Sequence, residues 1–329
     1  MIVMFRKEGQ LGNRLFNFAN FIAFAEAESL ALANPSFCEY AQLFSSTRQD
    51  LLCRYPPKLS ILSRFGARWA REALYSIVSF IARALKKLKI NNRFVRVIAI
   101  DDNSFYVLDD NPLARLPFRS CHLAFVGGLQ FRNVSAMKTH RQAICDYFRP
   151  LPVHQEKVNQ AINIARKNCD VLVGVHIRGG DYASHLNGRY FYTVPDYLQV
   201  MRSVSSLFPG KQVGFLVCSN SILDPEMFKE MNCHLGPNHH LQDMYAFAGC
   251  DYIIGPPSTY TLWASFYGNV LLYFIQDPNR PVTLDMFRDY FSHVGEHAVQ
   301  KDIHGAQFVM INGARYGLQF HTDKDHLAL

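Results

Sequence analysis

The segment VLVGVHIRGGDY, residues 171–182, sets His176, Arg178, two glycines and Asp181 directly after a run of β-branched and apolar residues. An arginine keeps its charge in a protein and presents a planar fork of donors that matches phosphate oxygens. Gly179 and Gly180 let a phosphate approach backbone N–H groups that a side chain would screen. If the apolar run is a strand, His176 and Arg178 lie two residues apart and share a face. They then stand at its C-terminal end, where open parallel sheets bind ligands. A diphosphate is the ligand this set suits. An ion pair between Arg178 and Asp181 that pins a turn is the plainer reading of the same residues.

A second glycine segment, GQLGNRLF at residues 9–16, separates an apolar run from a helical pattern. Gly9 and Gly12 allow close backbone approach, and Asn13 either caps the helix or reaches a ligand. No GK[ST] follows and no GxGxxG is present, so neither a P-loop nor a dinucleotide fingerprint is read here. In a third segment, residues 243–268, Ser258, Thr259 and Tyr260 open a helix after Gly-Pro-Pro. Their hydroxyls and first N–H groups either cap that helix or hold a phosphate. Asp243 and Asp251 are acceptors for the N–H groups of a base, or else a helix-face charge and a turn residue.

Glu8 and Asp181 are the carboxylates beside these motifs, and neither is singled out as a general base. No metal site is legible. Asp323 and Asp325 form a D-x-D in the tail that follows no strand, and the adjacent His239 and His240 read as loop residues. Eight cysteines without a CxxC pair read as reduced thiols.

These residues need elements to hold them. Residues 2–5 read as a strand and the pattern after Gly12 as a helix to about residue 32, so the chain opens as half of a βαβ unit. Strands are expected at 95–100 and 123–126 and a helix at 134–148. Pro150 and Pro152 then break the pattern, and a domain boundary is placed there: 1–150, with the glycine loop at 9–13, and 151–329. Helices at 158–167, 194–208, 241–249 and 258–266 alternate with strands at 171–177, 213–218, 252–254 and 270–274. That rhythm predicts parallel sheets covered on both faces. Two such α/β domains facing a cleft are a common architecture for nucleotide-sugar transferases.

Length and composition agree. The 329 residues suit two cores, and 49% apolar against 19% charged residues argues against disorder. The net charge of +7 favours anionic partners. From Arg64 to Arg96 nine basic residues meet one acid, Glu72. The helix expected over 66–90 carries Trp69, Leu74, Ile77, Val78, Ile81 and Leu85 among those cations. It is either a surface helix with a solvated basic face or a peripheral contact with an anionic membrane. Without interleaved stacking aromatics beyond Trp69 and Tyr75, nucleic-acid binding is not expected. The N-terminus MIVMFRKEG has no leader design, and a cytoplasmic location, at most peripheral at the membrane's inner face, is the expectation.

HIRGGDY resembles the HxRRGDY motif of the α-1,2-fucosyltransferases, glycosyltransferase family 11. GQLGNRLF resembles that family's GGLGNQLF opening, and CDYIIGPPSTYTLWASFYG is similar to its C-terminal element around STFSWW. The three stand in the family's order between residues 9 and 268. The resemblance implies a GT-B-like fold of two Rossmann-type domains, GDP-L-fucose as donor, inversion at the anomeric carbon, and neither a metal nor another cofactor. It implies an oligosaccharide or glycan acceptor, α-1,2-linked, in surface polysaccharide synthesis. By matching position it implies that Arg178 neutralises the donor pyrophosphate and that Asn13, beside Gly12, sits near the leaving phosphate or the fucose. His176 would lie beside the donor, Ser258, Thr259 and Tyr260 would hold the phosphates, and Asp243 would serve guanine. The chain departs from the pattern as a divergent member does. The family's second arginine is Gly179, its Trp-Trp is Leu262-Trp263, and its SDD is Ser219-Asn220-Ser221. Gly179 keeps open another nucleotide sugar, or a nucleotide- or glycan-binding protein without turnover. Residues 35–120 and 275–329 carry no matching motif.

Overall fold

A computed structural model describes residues 1–58, 68–100, 104–108, 112–183, 185–299, 306–311 and 314–321. The chain divides into two compact units, Met1–Leu151 with Ala298–Leu327, and Pro152–His297. The expectation had counted residues 298–327 with the second domain. Asp323 and Asp325 lie outside the described residues.

The first unit is built on β1 (Ile2–Met4), β2 (Leu32–Ala33), β3 (Arg54–Tyr55), β4 (Val95–Ala99) and β6 (Leu123–Gly127), in the order β3-β2-β1-β6-β4. All neighbours run parallel except β3, which pairs antiparallel with β2 at the edge. The helix Leu11–Glu28 follows β1 and is buried over most of its circumference, as a core helix must be when apolar residues ring it. Phe18 meets Phe37, Tyr147 and Phe148 edge-on at 5.4, 5.2 and 5.4 Å. Such contacts add specificity to the area they bury. The helix ends at Ser29 in the left-handed region, whose N–H reaches back to Ala25 and Glu26. A further sheet in this unit takes β5 (Ser104–Val107) and β7 (Phe131–Arg132) with the hairpin β13 (Ala306–Ile311) and β14 (Ala314–His321).

The second unit has one wholly parallel sheet of β8 (Val171–Ile177), β9 (Val213–Ser219), β10 (Cys233–Leu235), β11 (Tyr252–Gly255) and β12 (Leu271–Phe274). Its order is β10-β9-β8-β11-β12, so the chain moves outward one way from β8 and then returns to the other side at β11. The gap between β8 and β11 is the topological switch point, where doubly wound sheets bind ligands. All seven residues of β8 are buried. Val171, Val173, Val175 and Ile177 face one layer with Tyr197, Val200 and Val204 of the helix Val194–Ser205. That leaves Gly174 and His176 to the opposite layer, where a Cβ on Gly174 would lie 2.6 Å from the Phe247 ring.

The fold class expected from the sequence, α/β and GT-B-like with two Rossmann-type units, is the one found. The helix expected over 134–148 is two, Val134–Thr139 and Arg141–Tyr147, broken at His140. The helix expected from residue 158 starts at Pro152, because proline lacks only an N–H that a first helical turn leaves unused. None of the eight cysteines is bonded to another. Among the described residues no helix is long and apolar enough to cross a membrane.

Candidate active site

Six of the eight expected site residues belong to the second unit. Gly12 and Asn13 belong to the first.

In the second unit, β8 ends at Ile177, so strand alternation fixes His176 but not Arg178, the first residue of the following loop. His176 is 3% exposed; its ring stacks on Tyr260 at 5.0 Å and meets Phe247 edge-on at 6.0 Å. Gly255 on β11 is required here, because a Cβ would stand 2.9 Å from that of His176. Arg178 is half-buried with its guanidinium over the Tyr182 ring, 5.1 Å from the centroid, and its N–H donates to the Tyr197 hydroxyl at 3.3 Å.

The loop carrying Arg178 is tied from both sides. The Tyr182 hydroxyl donates to the Pro257 carbonyl at 2.7 Å, which spans the switch point from the β8 loop to the β11 loop. On the other side the Asn220 amide oxygen accepts from the Gly179 N–H at 2.8 Å. Gly180 is left-handed at φ +57°, a conformation glycine adopts without strain. A Cβ on Gly179 would lie 2.6 Å from the Ser221 hydroxyl. The two departures at 179 and 219–221 are therefore one feature: the space a side chain at 179 needs is occupied by the residues that replace SDD.

After β11, Ser258 is the N-cap of the helix Thr259–Gly268, its hydroxyl accepting from the Tyr260 N–H at 3.1 Å. The capping role and the helix-start geometry thus coincide, with Thr259 at the first helical position. Tyr260 donates its hydroxyl to the His240 carbonyl at 2.6 Å. Burial pushes its phenol well up, with Asp243 adding to the shift and the Arg178 charge opposing it.

Asp243 is 4% exposed in the first turn of the helix His240–Phe247. Burial raises its carboxyl to about 6, against N–H groups of Asn238 and His239 that stabilise the anion. Among the described residues its Oδ1 meets no donor in good geometry, and the Cys218 thiol on β9, itself pushed well up by burial, is the side chain that acts on the carboxyl. Gly236 makes the room: a Cβ there would strike Cys218 and come within 3.3 Å of Asp243 Oδ1. Cys218 and Gly236 carried no sequence signal, because their role exists only across the β9–β10 pair.

Asp251 is not at the site. It lies at the other end of β8, where both its oxygens take the Arg166 guanidinium at 2.9 and 3.0 Å and one accepts from the Leu172 N–H at 2.7 Å. Nor are the adjacent histidines plain loop residues. His239 caps the helix, its Nδ1 accepting from the N–H groups of Leu241 and Gln242 at 3.2 and 3.4 Å. It stacks on His240 at 4.6 Å and meets His154 at a tilt at 5.0 Å, and burial lowers all three imidazoles.

In the first unit, Gln10 is the N-cap of the helix Leu11–Glu28, without a side-chain cap bond, and Asn13 lies inside the helix. The capping reading of Asn13 is thereby replaced. Asn13 folds back over Gly9, which is left-handed at φ +66° and whose Cβ would lie 2.5 Å from the Asn13 amide nitrogen. Gly12 is buried. Charges tie this loop down: Arg6 to Glu8 at 2.6 Å, Arg14 to Glu39 at 2.7 Å, and Lys7 to both Glu39 and Glu72.

No family model matches the chain, and no curated protein matches it. Solved structures do. A mutant of Arabidopsis thaliana FUT1 in complex with GDP aligns over 86% of this chain and 72% of its own, with 12% identity and a TM-score of 0.52. The fucosyltransferase NodZ from Bradyrhizobium aligns over 83% and 95%, with 15% identity and a TM-score of 0.49. POFUT1 in complex with GDP aligns over 81% and 93%, with 12% identity and a TM-score of 0.43. At such identities the likeness is one of fold, and it rests on the first of these.

Proposed function

We propose that this chain is an inverting glycosyltransferase that moves L-fucose from GDP-fucose to a glycan hydroxyl. The observation that carries the reading is the switch point of the second unit. There Arg178 follows β8 with its guanidinium over Tyr182, the capped start of the helix Thr259–Gly268 follows β11, and the Tyr182 hydroxyl ties the two loops, while the buried Asp243 lies beside Cys218 on the neighbouring β9. The fold it shares with a GDP-bound FUT1 supports a nucleotide of that class.

The chemistry asks for a stabilised leaving group. As the glycosidic bond breaks, negative charge grows on the diphosphate and positive charge on the sugar ring. Arg178 supplies a permanent cation, and the first N–H groups of the helix Thr259–Gly268 supply oriented dipoles. Both are positioned before the reaction, so they cost no reorganisation in the transition state. Asp243, ionised above about 6, offers a buried acceptor to the N–H groups of a base such as guanine. Asn13, with Gly12, is proposed for the leaving phosphate or the fucose, and His176 for the donor's flank through its stack with Tyr260. No metal is proposed, since the cation and dipoles take that share of the charge. The α-1,2 linkage and a surface-polysaccharide acceptor rest on the motif resemblance, and product linkage analysis by NMR tests them.

A second reading, transfer from another nucleotide sugar, is favoured by Gly179, whose lost arginine is not restored by any cation at 219–221. A thermal-shift panel separates the two. Stabilisation by GDP above UDP, CMP and ADP supports the first, and a UDP preference moves the assignment to the second.

A further inference from the structure

The helix Arg68–Lys87 has two apolar faces, and among the described residues only one is covered. Val78, Ala82 and Leu85 pack with Val3, Phe5, Val97 and Phe125 on the sheet of the first unit. Arg71 and Ser79 are buried on that side as well. The opposite face presents Trp69, Ile77, Phe80 and Ile81, exposed at 74, 57, 73 and 44%. Leu88 and Phe94 follow the helix at 69 and 58%. At about 100° per residue, Trp69, Phe80, Ile77 and Ile81 fall within a stripe of roughly 120°. Six of the sixteen exposed large apolar side chains among the described residues thus lie in one short stretch. Scattered exposed apolar residues are ordinary, whereas a contiguous patch marks an interaction surface.

Charge says what covers it. Arg68, Arg83, Lys86, Lys87, Lys89 and Arg93 are all exposed on or just beyond this helix. Its one acid, Glu72, is taken by Lys7 at 2.7 Å. The stripe is therefore apolar with cations along one flank and at the ends of the helix, and the helix's own carboxylate is already paired. A second copy of the chain would bring like charges together. The helix is too polar to cross a bilayer, yet its design suits one lying in the interface plane. We infer that this face docks on an anionic phospholipid surface. Trp69, Ile77, Phe80 and Ile81 enter the acyl boundary, and Arg83, Lys86 and Lys87 lie among the headgroups.

The two tryptophans make the test direct, because Trp263 is fully buried and Trp69 is 74% exposed. Emission changes on adding lipid report Trp69. Vesicles of phosphatidylcholine with roughly a third phosphatidylglycerol should blue-shift the emission and sediment the protein at low salt, and phosphatidylcholine alone should do neither. The triple variant R83E/K86E/K87E should lower partitioning roughly tenfold or more. Phe80→Ser should weaken it while leaving the melting temperature nearly unchanged, since that side chain is 73% exposed. Protein that stays in the supernatant with anionic vesicles at low salt overturns the inference. So does equal binding to neutral vesicles. A blue shift that grows with protein concentration without lipid, together with a dimer in solution, overturns it too and makes the face an interface between copies.

Discussion

Arg178 is the residue on which the proposed chemistry turns, and its position predicts that it can be replaced without unfolding. It is half-buried in the loop after β8, while the core face of β8 is held by Val173, Val175 and Ile177. Arg178→Ala should therefore keep the melting temperature within a few degrees. Losing one preorganised donor of this kind costs about 2.7–4 kcal/mol, so steady-state turnover should fall by roughly 10²–10³. Gly179→Arg, which restores the family's pattern, should not help. The new side chain meets Ser221, and overpacking of this sort costs about 1–3 kcal/mol. Differential scanning calorimetry should show G179R destabilised and the pair G179R/S221G recovered.

Asp243 adds a pH dependence whose sign can be worked out. Its carboxyl rises from 3.8 to about 6 through burial, so the folded protein holds the proton more tightly than the unfolded chain. The stability this gives is complete below about 3.8 and is lost as pH rises through about 6. Binding of a base that donates N–H groups has the opposite preference, since it needs the anion. GDP affinity measured by calorimetry should fall as pH drops through about 6. Asp243→Asn should bind GDP roughly 10–100-fold more weakly at neutral pH and lose that dependence. The placement of Arg178 just past the end of β8 was legible in the sequence, because an apolar β-branched run that stops at Arg-Gly-Gly shows its limit. The state of Asp243 was not, since burial and the Cys218 and Gly236 neighbours come from strands far apart in the chain.

At the scale of elements, β8 was read from sequence with its true limits, because seven residues of a β-branched, glycine-containing run buried on both faces leave no helical alternative. The strands β2, β3 and β10, of two or three residues, were missed, for no period can be seen in so short a span and none of them is a continuous β-branched run. The histidine cap was missed for another reason: an N-cap is usually Ser, Thr, Asp or Asn, and His239 does that work with a ring nitrogen. The cap requires an unprotonated Nδ1. Burial holds the His239 imidazole below its ordinary 6.5, so its contribution is present above that value and lost as pH falls through the lowered one. His239→Asn supplies a cap that does not titrate. Its melting temperature between pH 7 and about 5 should fall less than that of the wild type, and identical profiles would remove the cap from the account.

For the molecule as a whole, the second unit was easier to read than the first. Its strands and helices alternate regularly, whereas the first unit places the antiparallel β3 and the helix Arg68–Lys87 between β2 and β4. That basic helix was visible, but which of its apolar residues face the core was not. Val78 and Leu85 turn inward while Trp69, Ile77 and Ile81 turn out, a division that only the position of the sheet decides. Donor chemistry through a fixed guanidinium and helix dipoles also predicts a whole-protein behaviour: turnover should persist undiminished in excess EDTA, and a strict requirement for Mg²⁺ or Mn²⁺ would contradict the charge scheme.

The most direct measurement is release of GDP from GDP-fucose by the full chain in EDTA, with and without a mixed oligosaccharide acceptor. Wild-type protein should release GDP, faster with acceptor, and Arg178→Ala should do so at least about a hundredfold more slowly. No release by the wild type, or equal release by the two proteins, would contradict the assignment of the switch point as the donor site.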